Sequence, residues 1–310
     1  KEVTSAARFE TKVWNITRFT AQQLDEDRDP LPDPAYRDVD RWILSKCSRV
    51  AEAVREDMAE YRFDSALRTL RTFIWHDLAD DYLELVKGRL YEGRPGERDA
   101  AQQALFTTVS AALRMLSPFA PFLTEEAYRV LPGTEGSVHA ADWPGLDMVD
   151  EEHEAAGDLI ADIASTIRGW KSDAGMALNA PLERVEAYPD EHPDVPVDTY
   201  DLSEAANAPV HIREGEPTVE LVPVDVEPDH SVIGPEFRDQ AGQVVAALGA
   251  MDPKQVADQK AVDGEIEVDL NGEVAVIPGD AVEIVEEHRA ESGEEVVVLD
   301  GDLATILVYE

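Results

Sequence analysis

The spacing of apolar residues changes once along this chain, and that change divides it into two unlike architectures. Up to about residue 175 they recur every three or four positions, the period of helices with one buried face. From Pro181 they alternate, as in half-buried strands, in short runs at 182–188, 209–213, 218–226, 265–270, 274–277, 282–285, 294–299 and 303–309. Helical spacing returns near 201–207 and 235–249. The expected fold is multidomain, α and α+β: an N-terminal antiparallel helix bundle, then a smaller, mostly antiparallel α+β domain. With 310 residues, each part is long enough to bury its own core.

Within the helical part, Val3, Ala6, Phe9, Val13, Ile16 and Thr20 make the inner stripe of a first helix. An acid- and proline-rich connector runs from Asp25 to Pro34. Val39 to Met58 reads as a second helix, with the single cysteine, Cys47, on its apolar stripe. A third begins at Asp64, read as its N-cap, runs past Leu85 and stops among Gly88, Gly93, Pro95 and Gly96. A fourth spans Ala104 to Leu116, and a short fifth starts at Pro121 and ends near Leu131. Ser137 to Pro144 reads as a strand-like connector and Glu152 to Ser172 as a further helix. The expected domains are a bundle over 1–150, a connecting helix over 151–175 and an acidic α+β domain over 176–310. Helical patterning that is already under way at Lys1 suggests a cut within a longer polypeptide.

Charge is distributed unevenly. The formal net charge is −39, yet residues 1–150 hold 19 Lys and Arg against 27 Asp and Glu, while 151–310 hold 8 against 39. Acid spread over a well-patterned chain, with few lysines, points to solvation in molar salt and not to a disordered acidic tail. No apolar run approaches the roughly 20 residues of a membrane span. One cysteine excludes an internal disulfide and a thiolate-rich metal site. The seven histidines show no metal-ligand spacing, and His76 reads as a hydrogen-bonded structural residue. No phosphate-binding glycine loop, nucleophile elbow or zinc-binding helix motif occurs. The expected metal and cofactor content is none, and so is the catalytic site.

One surface remains. Arg8, Thr11, Lys12, Asn15, Arg18 and Gln22 share the outer face of the first helix, and Phe19 points out among them. A polar, basic face with one aromatic side chain suits nucleic acid, the ring stacking on a base while cations hold phosphates. Packing of Phe19 against another helix is the alternative.

The strings Thr11 to Phe19, Asp40 to Ser45, Tyr61 to Ala66, Trp75 to Lys87, Pro118 to Glu126, Ser137 to His139 and Trp143-Pro144 occur in an order that resembles the region after the catalytic domain in class I aminoacyl-tRNA synthetases. The archaeal, halophilic valyl branch is the most similar. Thr11 stands where that family has Asn, and Ser117 where it has His. Past residue 175 the likeness is carried by Leu178 to Leu182 and Ile233 to Arg238. The resemblance implies an all-α anticodon-binding domain. It places RNA contacts at Thr11, Asn15, Arg18 and Phe19 on the first helix, where the basic outer face adds Arg8 and Lys12, and at Leu83 and Lys87 on the third. It gives Asp80 a role in orienting bundle side chains and Tyr82 a place in the core.

The parent enzyme implied would join valine to tRNA(Val) with ATP and hydrolyse threonyl-tRNA at an editing site. Its ATP and Mg would sit in a catalytic domain outside these residues, and that domain and the editing domain would be partners in the same polypeptide. A cytoplasmic monomer is expected. The same module of an isoleucyl enzyme and a free-standing acidic interaction protein are the alternatives.

Overall fold

The computed structural model describes residues 2–25, 31–270 and 272–310. Lys1, the side chains of Glu2 and Val3, residues 26–30 of the acidic connector and Asn271 lie outside the described residues. The helical period appears as α1 (Glu2–Gln23), α2 (Asp38–Ala59) and one unbroken rod formed by α3 (Phe63–Thr72), a π-helical stretch (Phe73–Tyr82) and α4 (Leu83–Glu92). Next come α5 (Pro95–Leu116), α6 (Pro121–Val130) and α7 (Glu151–Asp173). Phe9, Val13, Ile16, Trp42, Ile43, Leu70, Phe73, Leu85, Leu105 and Ile160 fill the core as their spacing demands. Cys47 is buried with them, and burial pushes its thiol up to about 12. Ala6, expected on the inner stripe, is exposed.

Local chemistry moves several expected boundaries. Asp64 does not cap α3, which starts at Phe63. Tyr61 sits in the left-handed region (φ 60) and lets the Arg62 N–H donate to the Asp57 carbonyl, closing the turn after α2. Gly88 lies inside α4, and the rod ends at Gly93, whose N–H donates to the Arg89 carbonyl. Residues 137–144 form no strand; the Ser137 hydroxyl accepts the His139 N–H and starts a 3-10 turn over Val138–Ala140.

Helix α7 belongs to the bundle and does more than connect. The Trp42 indole N–H donates to Asp158, the Ser45 hydroxyl to Glu154, and Arg49 to Glu151 and Glu154. Gly157 lies directly against Trp42, where a Cβ would overlap the indole's first carbons. Beyond α7, β1 (Arg184–Pro189) and β2 (Val210–Ile212) pair in parallel with Val185 opposite Val210, and α8 (Tyr200–Ala206) lies between them in sequence.

Period-two patterning continues into β3 (Val219–Pro228), followed by α9 (His230–Phe237), α10 (Ala241–Leu248) and α11 (Pro253–Asp263). Strands β4 (Glu265–Leu270), β5 (Glu273–Pro278) and β6 (Val282–Ala290) complete this part. β3 pairs antiparallel with β6, and β4 with β5, over a core of Val226, Ile233, Leu248, Val256, Ile266 and Ile277. Finally β7 (Val297–Asp300) and β8 (Ala304–Tyr309) give a four-stranded sheet in the order β2-β1-β8-β7. The chain forms two compact units, one of residues 1–215 with 299–308 and 310, the other of residues 216–298 with Tyr309. The division after Gly215 differs from the one expected near residue 175. Among the described residues no helix is long and apolar enough to cross a membrane.

Candidate nucleic-acid interface

The outer face of α1 is a ridge. Arg8, Thr11, Asn15 and Arg18 are all exposed, and among the described residues Arg8, Asn15 and Arg18 hold no side-chain partner. Thr11 turns its hydroxyl back to the Ala7 carbonyl at 2.8 Å, which uses its donor but leaves its oxygen able to accept. Lys12 flanks the ridge, its Nζ 2.5 Å from Asp80 Oδ1 and 4.4 Å from the centre of the Trp75 ring. Phe19 is half-buried and meets Tyr91 of α4 edge-on, with centroids 6.4 Å apart and planes at 78°. Tyr91 is itself 62% exposed. Phe19 therefore packs against another helix and still keeps part of its ring at the surface.

The two third-helix candidates go elsewhere. Leu83 is only 8% exposed and lies in the core. Lys87 pairs with Glu84 at 2.6 Å and lines a cleft between α4 and α7. The eight residues thus form an exposed ridge with two flanking side chains, a buried leucine and an outlying cation, not one pocket.

The π-helical stretch joins these parts. Its three carboxylates reach three different helices: Asp77 to Lys46 of α2 (3.0 Å), Asp80 to Lys12 of α1, and Asp81 to Arg168 of α7 (2.9 Å). Burial pushes Asp77 and Asp81 up, and the paired Lys46 and Arg168 only partly oppose it. Asp80 also accepts the Arg168 guanidinium on its main-chain oxygen at 2.5 Å, so it orients neighbours on both flanks of the rod. His76 is exposed beside Asp80 (3.4 Å) and is not the structural histidine expected. Trp75 stacks on Phe9 at 6.5 Å with Arg71 alongside. Short π segments concentrate at functional positions in helices.

Sequence reasoning missed the charged knot behind Tyr91. Arg89 is fully buried; it donates two hydrogen bonds to Asp40 (2.7 and 2.8 Å) and one to Asp201 of α8 (2.7 Å). The Tyr82 hydroxyl, also buried, donates to Asp40 at 2.9 Å. Burial drives Asp201 up to about 7, against the pull of Arg89. Burial opposes the charge on Arg89, but Asp40 and Asp201 together more than offset it and hold the guanidinium above its ordinary value. The signal available in the sequence was Arg89 itself, a charge on the apolar stripe of Tyr82, Leu85 and Val86.

Residues 40–187 match the anticodon-binding domain of tRNA ligase. Over all 310 residues the chain is 60% identical to the valine–tRNA ligase of Natronomonas pharaonis, a halophilic archaeon, and covers 35% of it. The chain belongs to the valine–tRNA ligase family. It is 42% identical to the Methanosarcina acetivorans valine–tRNA ligase and 37% to the Archaeoglobus fulgidus one, matching over 99% of its own length and 35% of theirs. It spans about a third of the length of the curated relatives it matches. Similarity to valine–tRNA ligases along the whole chain gives the acidic α+β part the same membership as the bundle. The anticodon-domain match starts at Asp40, so it includes Asp40, Tyr82 and Arg89 of the knot together with Leu83 and Lys87, whereas Asp201 follows it and α1 with its ridge precedes it.

Proposed function

We propose that this chain is the anticodon-recognition module of a valine–tRNA ligase and that it holds the anticodon stem-loop of tRNA(Val) on the α1 ridge. What carries the reading is the ridge itself. In a chain of net charge −39, Arg8 and Arg18 stand exposed with no carboxylate partner among the described residues, on a helix that also presents Asn15 and part of Phe19. Arg8 and Arg18 meet phosphates, Asn15 offers both a donor and an acceptor to a base edge, and Phe19 stacks a base on its open face. Asp80 fixes Lys12 over Trp75. Valine activation with ATP, transfer to tRNA(Val) and hydrolysis of threonyl-tRNA fall to catalytic and editing domains of the same polypeptide, a cytoplasmic monomer. ATP and Mg2+ are assigned to the catalytic domain. Among the described residues no three His, Cys, Asp or Glu are grouped so as to hold a metal ion.

Phe19→Ala tests the reading. Binding of tRNA with a valine anticodon should weaken by about 1–3 kcal/mol, the worth of one aromatic–base stack. Unchanged affinity with a lowered unfolding midpoint would reduce Phe19 to a packing partner of Tyr91.

A further inference from the structure

A cavity of about 270 Å³ opens between the last turn of α5 and the 3-10 turn that follows α6. The strings Pro118 to Glu126, Ser137 to His139 and Trp143-Pro144, singled out in the sequence, meet around it, and the ridge uses none of them. We propose that this cavity binds a free phosphate ion, held by Arg114 with His139 and Ser117.

The first observation is an uncompensated charge. In the bundle Arg37, Lys46, Arg89 and Arg168 each meet a carboxylate. Arg114 is half-buried in the cavity wall, and its hydrogen-bond partners among the described residues are main-chain oxygens alone. Its Nε donates to the Ser110 carbonyl at 3.3 Å and one Nη to the Asp142 carbonyl at 3.4 Å. Those bonds orient the guanidinium without neutralising it and leave the rest of its N–H donors to a ligand. An oriented guanidinium with free donors is the preferred partner of an oxyanion.

The second is a set of fixed walls. Glu125 accepts the Ser137 hydroxyl at 2.8 Å and the Val138 N–H at 3.1 Å, which anchors the 3-10 turn on α6. Trp143 donates its indole N–H to the Ala51 carbonyl of α2 at 3.2 Å. The site is assembled before a ligand arrives, so little ordering opposes binding.

The third is what the remaining groups select. His139 Nε2 lies 3.2 Å from the Pro121 carbonyl and so carries the hydrogen, which leaves Nδ1 as an acceptor. The Ser117 hydroxyl donates to the Arg114 carbonyl at 2.9 Å and keeps its oxygen as a second acceptor. A guanidinium beside two acceptors suits an anion that carries both charged oxygens and a proton. Inorganic phosphate at neutral pH keeps at least one P–OH, whereas sulfate, chloride and the diester groups of RNA have none. The volume falls just below the roughly 300–1,000 Å³ of small-ligand sites, room for an ion and not for a nucleotide.

Equilibrium dialysis of the 310-residue chain against labelled inorganic phosphate tests this, in molar KCl at neutral pH so that chloride is in constant excess. One phosphate should bind per chain, and Arg114→Gln should bind it at least tenfold more weakly. His139→Phe, at an exposed position, should repeat the loss and serves if Arg114→Gln does not fold. Sulfate should displace the label only at concentrations at least tenfold above those of unlabelled phosphate. Saturating tRNA should leave the label bound, and Arg114→Gln should bind tRNA as the parent does, since the ridge is intact. A parent chain that binds no phosphate, binding that survives both variants, or sulfate as effective as phosphate overturns the proposal. Displacement of the label by tRNA would give the site to an RNA phosphate and overturn its assignment to the free ion.

Discussion

Arg89 carries one positive charge into the core and meets two carboxylates there, from residues 49 and 112 positions away. Three buried groups with one excess negative charge favour retention of a proton, and burial places it on Asp201 at about 7. Unfolded, the same aspartate loses its proton near pH 4. The folded state thus binds an extra proton between about pH 4 and 7. The stability this supplies is complete below that window and gone above it, so stability falls as pH rises, by up to about 1.4 kcal/mol per unit. Asp57, Glu97, Glu125, Asp150 and Asp229 are shifted down and lose their contribution only in more acidic solution. Chemical unfolding at pH 5, 6, 7 and 8 should show this slope in the parent chain and a flatter one in Asp201→Asn. Arg89→Met removes the countercharge from two buried carboxylates and should cost about 3–5 kcal/mol at neutral pH. The charge on the apolar stripe at Arg89 was visible in the sequence. Its partners were not, because no local periodicity links Arg89 to Asp40 or Asp201.

Helices and strands were legible wherever one face is buried, since a buried face imposes a period. Where burial is one-sided but sparse, the signal fails. In α11 only Val256 is buried, and Val262 of the same helix is 80% exposed, so there is no stripe to read. The π stretch is silent for another reason: its wider turn shifts the period across only 10 residues while Phe73, Ile74, Leu78 and Tyr82 stay inside. The ridge candidates were legible because polar side chains recur along α1, but Leu83 and Lys87 needed the geometry of α4. Close approach between helices is equally silent in sequence. Gly157→Ala should force α7 away from Trp42 and destabilise the bundle by about 1–3 kcal/mol. Gly169→Ala, on the same helix but facing open space, should stabilise it by roughly 0.5–1 kcal/mol. Thermal unfolding of the two single variants separates these signs. Lys171 sets the end of α7: its buried ammonium donates to the carbonyls of Leu178, Ala180 and Ala206. Replacing it with methionine strands those acceptors and should lower stability by about 1–3 kcal/mol.

At the scale of the molecule, 66 Asp and Glu against 27 Lys and Arg leave the native state under self-repulsion, and the stretch 216–298 holds 21 acids against 4 cations. Repulsion of this kind weakens when the Debye length shrinks from about 10 Å at 0.1 M salt to about 3 Å at 1 M. Contacts inside the core, such as Arg89 with Asp40, are screened far less than exposed pairs such as Arg68 with Asp64. Concentrated salt therefore removes the destabilising term and leaves the buried knot in place. RNA binding follows the same balance. An ordinary RNA-binding protein loses affinity as salt rises, because binding releases counterions from phosphate. Here added salt also suppresses the long-range repulsion between an acidic protein and RNA, and stacking at Phe19 with short-range contacts from Arg8 and Arg18 persists. Helical circular dichroism and tRNA affinity should consequently rise together between low and molar KCl. A chain that is fully folded at 0.1 M KCl and loses affinity steadily with added salt would refute adaptation to molar salt, and would leave its place among the valine–tRNA ligases untouched.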